Sequence, residues 1–215
     1  MGTLSSSPRT LRGAIVAIDP KSPLSRIVIF QYNPDEVRRT LAPASGESSG
    51  AGSEVHHGWG APVESLTMAV ELDAVDQLDG GDPIAGTVGI LPQLSVLEML
   101  LHPGSIDVIA NTVLLAAGTI EILPIKLPLA VLVWGPARVV PVRVTGLTIT
   151  EQAFNPGLAP VRAKVEIAAT VLTYDDLSVT DVGYGLYVAH LVAKEVLAVV
   201  GAAEGAVGAI SDLVA

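Results

Sequence analysis

The chain has 215 residues, which is enough for one sizeable hydrophobic core. Half of the residues are hydrophobic and only 16% are charged, so we expect other subunits to cover part of the apolar surface. The net charge of −10 argues against nucleic acid and anionic membranes as partners, and the absence of cysteine excludes disulfides and cysteine-ligated zinc.

We expect no membrane span. The N-terminal residues MGTLSSSPRTLRG lack an apolar core of signal-peptide length. Apolar stretches such as residues 107–121 are interrupted before they reach the roughly 18 residues that a transmembrane helix needs. The lack of cysteine suits assembly in the cytoplasm.

The first strands are predicted over residues 11–18 and 25–32, where apolar residues dominate. The residues between them are typical of a turn: Asp19, Pro20, Ser22 and Pro23. Pro34 ends the second strand, because proline donates no ladder hydrogen bond. The charged residues around Arg38 predict a short edge strand.

Residues 43–62 are rich in glycine, serine and alanine and predict a long flexible loop. The loop contains Glu54, His56 and His57. Adjacent histidines on a strand would point to opposite faces, so we interpret them as loop residues and not as a metal site.

Residues 63–73 predict a strand with two different faces. One face is apolar: Leu66, Met68, Val70 and Leu72. The other is polar: Ser65, Thr67, Glu71 and Asp73. Asp76, Asp79 and Asp82 follow around a Gly-Gly pair, and their spacing differs from that of a calcium-binding EF-hand. We interpret this segment as a solvated acidic loop.

Residues 91–102 predict a helix, because leucines recur there at three-to-four-residue spacing: Leu94, Leu97, Leu100 and Leu101. Pro103 and Gly104 end it. Residues 105–127 are apolar, and their pattern leaves both a helix and strands open.

The longest alternating pattern lies at residues 138–173 and predicts two antiparallel strands joined by a tight loop. In the first strand the apolar residues slip by one position after Gly146: Val140, Val142 and Val144 come before it, and Leu147 and Ile149 after it. This slip predicts a β-bulge or bend at the glycine.

Beyond Asp181 the spacing becomes helical over residues 184–200. His190 lies on one apolar stripe of this helix, and we interpret it as a core or interface residue. Gly201, Gly205 and Gly208 weaken the continuation by roughly 1 kcal/mol each. We therefore expect the tail to be ordered by packing on another subunit.

No catalytic motif accompanies these elements. The chain contains no G-x-S-x-G, H-E-x-x-H or Walker sequence. Asp175 and Asp176 form a pair of carboxylates, which we interpret as a turn at a strand end and not as an acid–base pair. The sequence thus predicts a structural protein with no cofactor, no metal and no enzymatic activity.

Three motifs occur in a fixed order along roughly residues 10–175. The first is Phe-x-x-Asn-Pro, at Phe30, Asn33 and Pro34. The second ends a strand in Trp-Gly, at Trp134 and Gly135. The third forms a loop and the start of a strand: Glu151, Phe154, Asn155, Leu158, Pro160, Arg162 and Ala163. Together they resemble the tube-type domain of contractile injection systems, which are phage-tail-like assemblies.

The resemblance implies a mainly β fold. Residues 1–180 would form a tail-tube-like β-barrel or sandwich with one short packed helix, and residues 181–215 a C-terminal helical extension. The chain would form a ring, by resemblance a hexamer, in the baseplate. That ring would adapt the spike or hub to the inner tube and initiate tube assembly.

The implied partners are further copies of the chain, the inner-tube protein, the spike or hub protein and sheath-side baseplate proteins. The particle would assemble in the cytoplasm. The resemblance is compatible both with a particle that stays in the cell and with one that is released from it. Many members of the family carry a peptidoglycan-binding LysM module, and the chain shows none. Arg143, Arg162 and Lys164 alternate with the apolar face, and we predict that they contact acidic residues of a stacked ring.

Two alternatives remain at this stage. The chain would be the main inner-tube subunit if it polymerises without limit. It would be a small-ligand-binding or enzymatic β-barrel if the acidic loop and the histidine pair border a pocket.

Overall fold

The structure, a computed structural model, describes residues 11–18, 26–44, 60–116 and 127–214, with side chains to residue 204. Seven strands lie in these ranges: β1 (Ala14–Ile18), β2 (Arg26–Ile29), β3 (Val37–Ala42), β4 (Val63–Asp73), β5 (Leu129–Val133), β6 (Val139–Phe154) and β7 (Pro160–Val171). They form one antiparallel sheet in the order β2–β1–β5–β6–β7–β4–β3.

The sheet is open. The strands β2 and β3 lie at its two edges, and each pairs with a single described neighbour. The prediction of a mainly β fold is confirmed. The barrel in that prediction is not closed by the described strands of one chain, because closure requires the two edge strands to pair with each other.

The described ranges also contain five helices: α1 (Val75–Asp79), α2 (Pro83–Val88), α3 (Leu91–Glu98), α4 (Ser105–Ala116) and α5 (Val182–Val214). The helix predicted over residues 91–102 corresponds to α3, which buries Leu94 and Leu97. The ambiguous segment begins with a helix, α4. We predicted one short helix before the C-terminal helix, whereas the described residues contain four.

The acidic segment after β4 is solvent-exposed, as predicted, but it consists of the helices α1 and α2 joined by a turn at residues 80–82 and is not a single loop. Asp82 is the N-cap of α2, and its carboxylate accepts hydrogen bonds from the amides of Ile84 and Ala85. Pro83 follows at the first helical position, where its missing N–H costs nothing. The side chain of Asp82 therefore caps the N-terminus of α2.

The core lies on one face of the sheet. The pairing of β4 with β7 places apolar residues opposite one another: Leu66 with Ala169, Met68 with Ile167, Val70 with Val165 and Leu72 with Ala163. All of these side chains are buried, and the leucines of α3 belong to the same cluster. The two predicted faces of β4 are therefore confirmed.

The predicted bulge in β6 is also confirmed. Val144 pairs with Ala169 of β7, whereas Gly146 pairs with Ala168, so Thr145 is the extra residue. Val144 faces the core before the bulge, and Leu147 packs against the core after it. One inserted residue thus keeps the apolar side of a long strand on the core.

Several predictions concern residues that the structure does not describe. The turn at Asp19, Pro20, Ser22 and Pro23 lies outside the described residues. So does most of the glycine-rich loop, with Glu54, His56 and His57. The first ten residues and the side chains from residue 205 onward are likewise outside.

Candidate assembly surfaces

The first two motifs meet around Gly13. The rings of Phe30 and Trp134 lie 6.3 Å apart between centroids and are tilted by 52°. A Cβ on Gly13 would lie 2.7 Å from the Trp134 ring and 2.8 Å from the Phe30 ring, so only glycine fits between them. Phe30 is fully buried and donates its amide hydrogen bond to the Gly13 carbonyl.

Asn33 completes this cluster. Its side-chain oxygen accepts a hydrogen bond from the Gly13 amide at 2.8 Å, and its amide group donates to the Leu11 carbonyl at 2.8 Å. Pro34 follows in the connection from β2 to β3. Gly135 has a φ of 75° and opens the turn between β5 and β6, as a residue without Cβ can. These motif residues fix the start of β1 to the end of β5.

The third motif forms the tip of the β6–β7 hairpin, and Asn155 organises it. The side-chain oxygen of Asn155 accepts hydrogen bonds from the amides of Gly157 and Ala159, both at 2.9 Å. Its amide group donates to the Gly86 carbonyl at 3.1 Å. One side chain therefore shapes the loop and attaches it to α2.

The start of β7 is attached to the same region. Pro160 is buried, and its carbonyl accepts a hydrogen bond from the Ile90 amide at 3.0 Å. A Cβ on Gly89 would lie 2.0 Å from the Pro160 carbonyl oxygen, so this approach requires glycine. Ala163 is fully buried beside β4, while Glu151 of β6 pairs with it and is exposed.

The hairpin tip presents apolar side chains to solvent. Phe154 is 54% exposed and Leu158 is 81% exposed. Leu158 also has a φ of 64°, a conformation that a residue with a branched side chain rarely adopts. A strained leucine with no apolar cover favours a contact surface over a purely structural loop.

The face of β4, β6 and β7 opposite the core is polar. Arg162 of β7 forms an ion pair with Asp73 of β4, with its Nη2 atom 2.6 Å from the Asp73 oxygen. We predicted that Arg162 contacts an acidic residue of a stacked ring. Within one chain, its guanidinium group already pairs with Asp73. Arg143 and Lys164 are exposed on the same face and form no ion pair with any residue in the described ranges.

A buried carboxylate joins α5 to the sheet. Glu64 of β4 is 6% exposed, Arg39 of β3 lies 2.6 Å from one of its oxygens, and Lys194 of α5 lies 3.0 Å from the other. Burial alone would raise the pKa of Glu64, but the hydrogen bonds from Lys194 and Arg39 outweigh burial and hold it below 4.5. Glu64 is therefore charged at neutral pH.

Basic side chains surround this carboxylate. His190 of α5 is 7% exposed, and its Nδ1 atom has no hydrogen-bond partner among the described residues. Burial and the nearby Lys194 lower the pKa of His190, although a hydrogen bond to the backbone of Ala137 acts the other way. Burial and Arg39 also lower the pKa of Arg138. The docked part of α5 thus depends on one anion among several cations.

Sequence reasoning missed Glu64. The available signal was its position two residues before Leu66, which places an acidic side chain on the apolar face of β4. Its partners Arg39 and Lys194 belong to other elements, and the sequence pattern of β4 alone does not contain them.

The two edges of the sheet are accessible. Ile27 and Ile29 of β2 and Leu41 of β3 are all exposed by about half or more of their surface. The unpaired backbone groups of an exposed edge strand are a template for pairing with another chain, although β2 and β3 are short and β3 carries Arg38 and Arg39. The edges are therefore a second candidate surface.

The paired carboxylates Asp175 and Asp176 both hold the backbone near the end of β7. Asp176 accepts hydrogen bonds from the backbone and hydroxyl of Thr173, and Asp175 accepts one from the Ala61 amide. Across the described ranges, no three histidine, cysteine or acidic side chains cluster as a metal site would require.

In comparisons with known proteins, no family model matches the chain, and no curated protein is significantly similar to it. Among the described helices, Val182–Glu204 of α5 is apolar and long enough to cross a membrane by length and composition alone. Lys194 of the same helix pairs with Glu64 of β4.

Proposed function

We propose that the chain is a structural subunit of a contractile injection system, and that it forms a baseplate ring that joins the spike or hub to the inner tube. The observation that carries this proposal is the open sheet. Its edge strands β2 and β3 are at opposite ends, so β2 of one copy can pair with β3 of the next.

Such a contact is heterologous, because it uses two different surfaces of the same chain. Repeated around an axis, it closes into a ring and joins the separate sheets into one continuous sheet. By the resemblance described above, we propose six copies. The barrel that a single chain leaves open would then be completed by neighbouring copies.

The polar face of the sheet would line the lumen of this ring. Alternate residues there are threonines or carry charges of both signs, as in the row formed by Thr150, Lys164 and Glu71. A hydrated face with both signs of charge suits a channel through which other proteins pass. The apolar face is already occupied by the core of each subunit.

The hairpin tip would contact the adjacent ring. Phe154 and Leu158 are apolar, exposed and held in place by Asn155. Arg143 and Lys164 have no ion-pair partner among the described residues, and we propose acidic side chains of a neighbouring protein as their partners. The partners would be the inner-tube, spike or hub, and sheath-side baseplate proteins.

The chain would act without catalysis or cofactor and without a membrane span, in particles assembled in the cytoplasm. Electron microscopy of the purified chain, and of particles purified with a tagged copy from the native host, tests this proposal. We expect closed rings and co-purified tube, sheath and spike proteins. A monodisperse monomer without such partners would rule the proposal out.

A matched pair of substitutions tests the edge contact. Ile29→Lys places a charge on the exposed β2 edge, and lysine on an edge strand opposes pairing. Ile84→Lys makes the same change at an equally exposed isoleucine of α2. We expect rings from the Ile84 variant and monomers from the Ile29 variant. Unlimited tubes from the unmodified chain would favour the main inner-tube subunit instead.

A further inference from the structure

The carboxylate of Glu64 is the centre of a charged cluster, and both of its oxygens have cationic partners. One oxygen lies 2.6 Å from Nη2 and 2.7 Å from Nε of Arg39, and the other lies 3.0 Å from Nζ of Lys194. One negative charge is thus shared between two positive charges. A third cation beside them therefore adds to a positive charge that is already in excess.

Arg138 is that third cation. It lies in the connection between β5 and β6, directly before Val139, and is half-buried. Burial and repulsion by Arg39 lower the pKa of its guanidinium group, while attraction to Glu64 opposes them. Arg138 therefore lies near both of these residues. Its side chain forms no ion pair and no hydrogen bond with any residue in the described ranges.

The guanidinium group of Arg138 can be reached from solvent. Across the described residues, Gln93 and His190 alone hold a side-chain nitrogen or oxygen that is both fully buried and unpaired, so the nitrogens of Arg138 keep access to water. A guanidinium group presents five N–H donors in a fixed plane and accepts no hydrogen bonds. These donors are therefore free to bind an acceptor that arrives from outside the chain.

The other titratable groups near the cluster do not supply the missing negative charge. His190 and Tyr187 of α5 are buried, and burial lowers the pKa of the histidine and raises that of the tyrosine, so both are neutral at pH 7. Asp175 and Asp176 hold the backbone near the end of β7. Neither of them is among the charges that act most strongly on Arg138.

We propose that Arg138 binds an oxyanion, with Arg39 beside it, where the connection between β5 and β6 meets α5. The ligand is a carboxylate or a phosphate, because the planar donors of arginine match the spacing of the oxygens in both groups. The whole chain has a net charge of −10, so a local excess of positive charge runs against the general character of the molecule. A bound oxyanion would reduce the repulsion between the two arginines.

Calorimetric titration of the full-length chain tests this site, with sodium phosphate and sodium acetate as separate probes at constant ionic strength. We expect one ion per chain. Binding to Arg138→Gln should be at least tenfold weaker, because the variant loses its charge-assisted hydrogen bonds. Arg143→Gln is the matched control, since Arg143 is an exposed arginine of β6 on the polar face, and its affinity should stay within twofold.

Thermal unfolding gives a second readout, which damage to the fold would not produce. In chloride, Arg138→Gln should melt at the same temperature as the unmodified chain or higher, because it removes a charge that Arg39 repels. Phosphate should raise the melting temperature of the unmodified chain and of Arg143→Gln by more than that of Arg138→Gln. Arg138→Lys keeps the charge but not the planar donors, and we expect an intermediate affinity.

Two sources can provide such an oxyanion: a dissolved ion, or one of the 22 acidic side chains of another copy of the chain. Size-exclusion chromatography distinguishes them. If a dissolved ion is the ligand, phosphate leaves the size of the assembly unchanged. If an acidic side chain is the ligand, phosphate competes with it and reduces the size of the assembly formed by the unmodified chain.

Three results would overturn the inference. The first is that neither phosphate nor acetate binds, and the second is equal affinity for the unmodified chain and Arg138→Gln. The third is an equal rise in melting temperature for all variants, which would mean that phosphate acts through the solvent and not at the site. None of these results bears on the proposed ring, which electron microscopy tests separately.

Discussion

The ammonium group of Lys194 lies 3.0 Å from a carboxylate oxygen of Glu64, and this contact joins α5 to β4. The other oxygen of Glu64 accepts a hydrogen bond from Nε of Arg39 at 2.7 Å. Three elements that are distant in sequence thus meet at one buried anion. The position of α5 on the sheet depends on this carboxylate.

We expect Glu64→Gln to destabilise the chain by roughly 1–3 kcal/mol, because it leaves Arg39 and Lys194 without their anion. The estimate is below that for a fully buried pair, because both cations are partly exposed to solvent. Urea unfolding measures the change. Glu166→Gln, at an exposed position of β7, is the matched control and should leave the free energy of unfolding almost unchanged.

Stability should decrease on acidification below about pH 6.5, because the pKa of His190 is lowered in the folded chain. The unfolded chain then binds a proton before the folded chain does. The stabilisation is therefore complete above pH 6.5 and is lost as the pH falls from there toward the folded pKa. Burial is the main cause, and Lys194 and Arg39 add repulsion, while Glu64 opposes it.

The melting temperature measured between about pH 7 and pH 5 tests this dependence. In His190→Gln we expect a flatter profile over that range. Equal slopes for the two chains would show that His190 does not titrate as proposed. The contribution of Glu64 is lost at lower pH, as the pH falls from 4.5 through its lowered pKa.

We expect Asn155→Ala to destabilise the hairpin tip by about 1–3 kcal/mol, because the amides of Gly157 and Ala159 lose their acceptor. Hydrogen exchange of these amides should accelerate, with less change in the centre of β7. Asn155→Asp keeps the acceptor and removes the donor to Gly86, so its tip amides should stay protected. Fast tip exchange in both variants would assign the protection to the backbone turn alone.

Two glycine substitutions should have opposite effects. Gly13→Ala places a methyl group 2.7 Å from the Trp134 ring, and we expect a loss of about 1–3 kcal/mol from overpacking. Gly86→Ala in α2 meets no atom within 4 Å, and it should be neutral or stabilise by up to about 1 kcal/mol. Thermal unfolding compares the two, and equal melting temperatures would contradict the packing around Gly13.

The sequence was sufficient to predict the elements that alternate strongly. The apolar and polar faces of β4 follow from its period of two, and the slip after Gly146 predicted the bulge in β6. The leucine spacing predicted α3 for the same reason. In each case the residues that determine the element lie within it, so a local pattern is enough.

Contacts between distant elements could not be predicted in this way. Nothing near Glu64 in sequence indicates that Lys194 will bind it, and only the docking of α5 brings them together. Whether β2 and β3 pair to close a barrel likewise depends on the combined twist and curvature of all seven strands, which no single segment of sequence determines. Asp82 followed by Pro83 is a typical start of a helix, and the sequence therefore contained a signal for α2. We interpreted these residues as part of an acidic turn and so did not predict the helix.

The hairpin loop held by Asn155 has a consequence for the speed and selectivity of ring stacking. The loop is fixed before any partner arrives, so contact at Leu158 costs little conformational entropy. A rigid tip also rejects surfaces of the wrong shape, because it cannot adapt to them. Correct stacking would then be selected by fit at the moment of collision and not by later rearrangement.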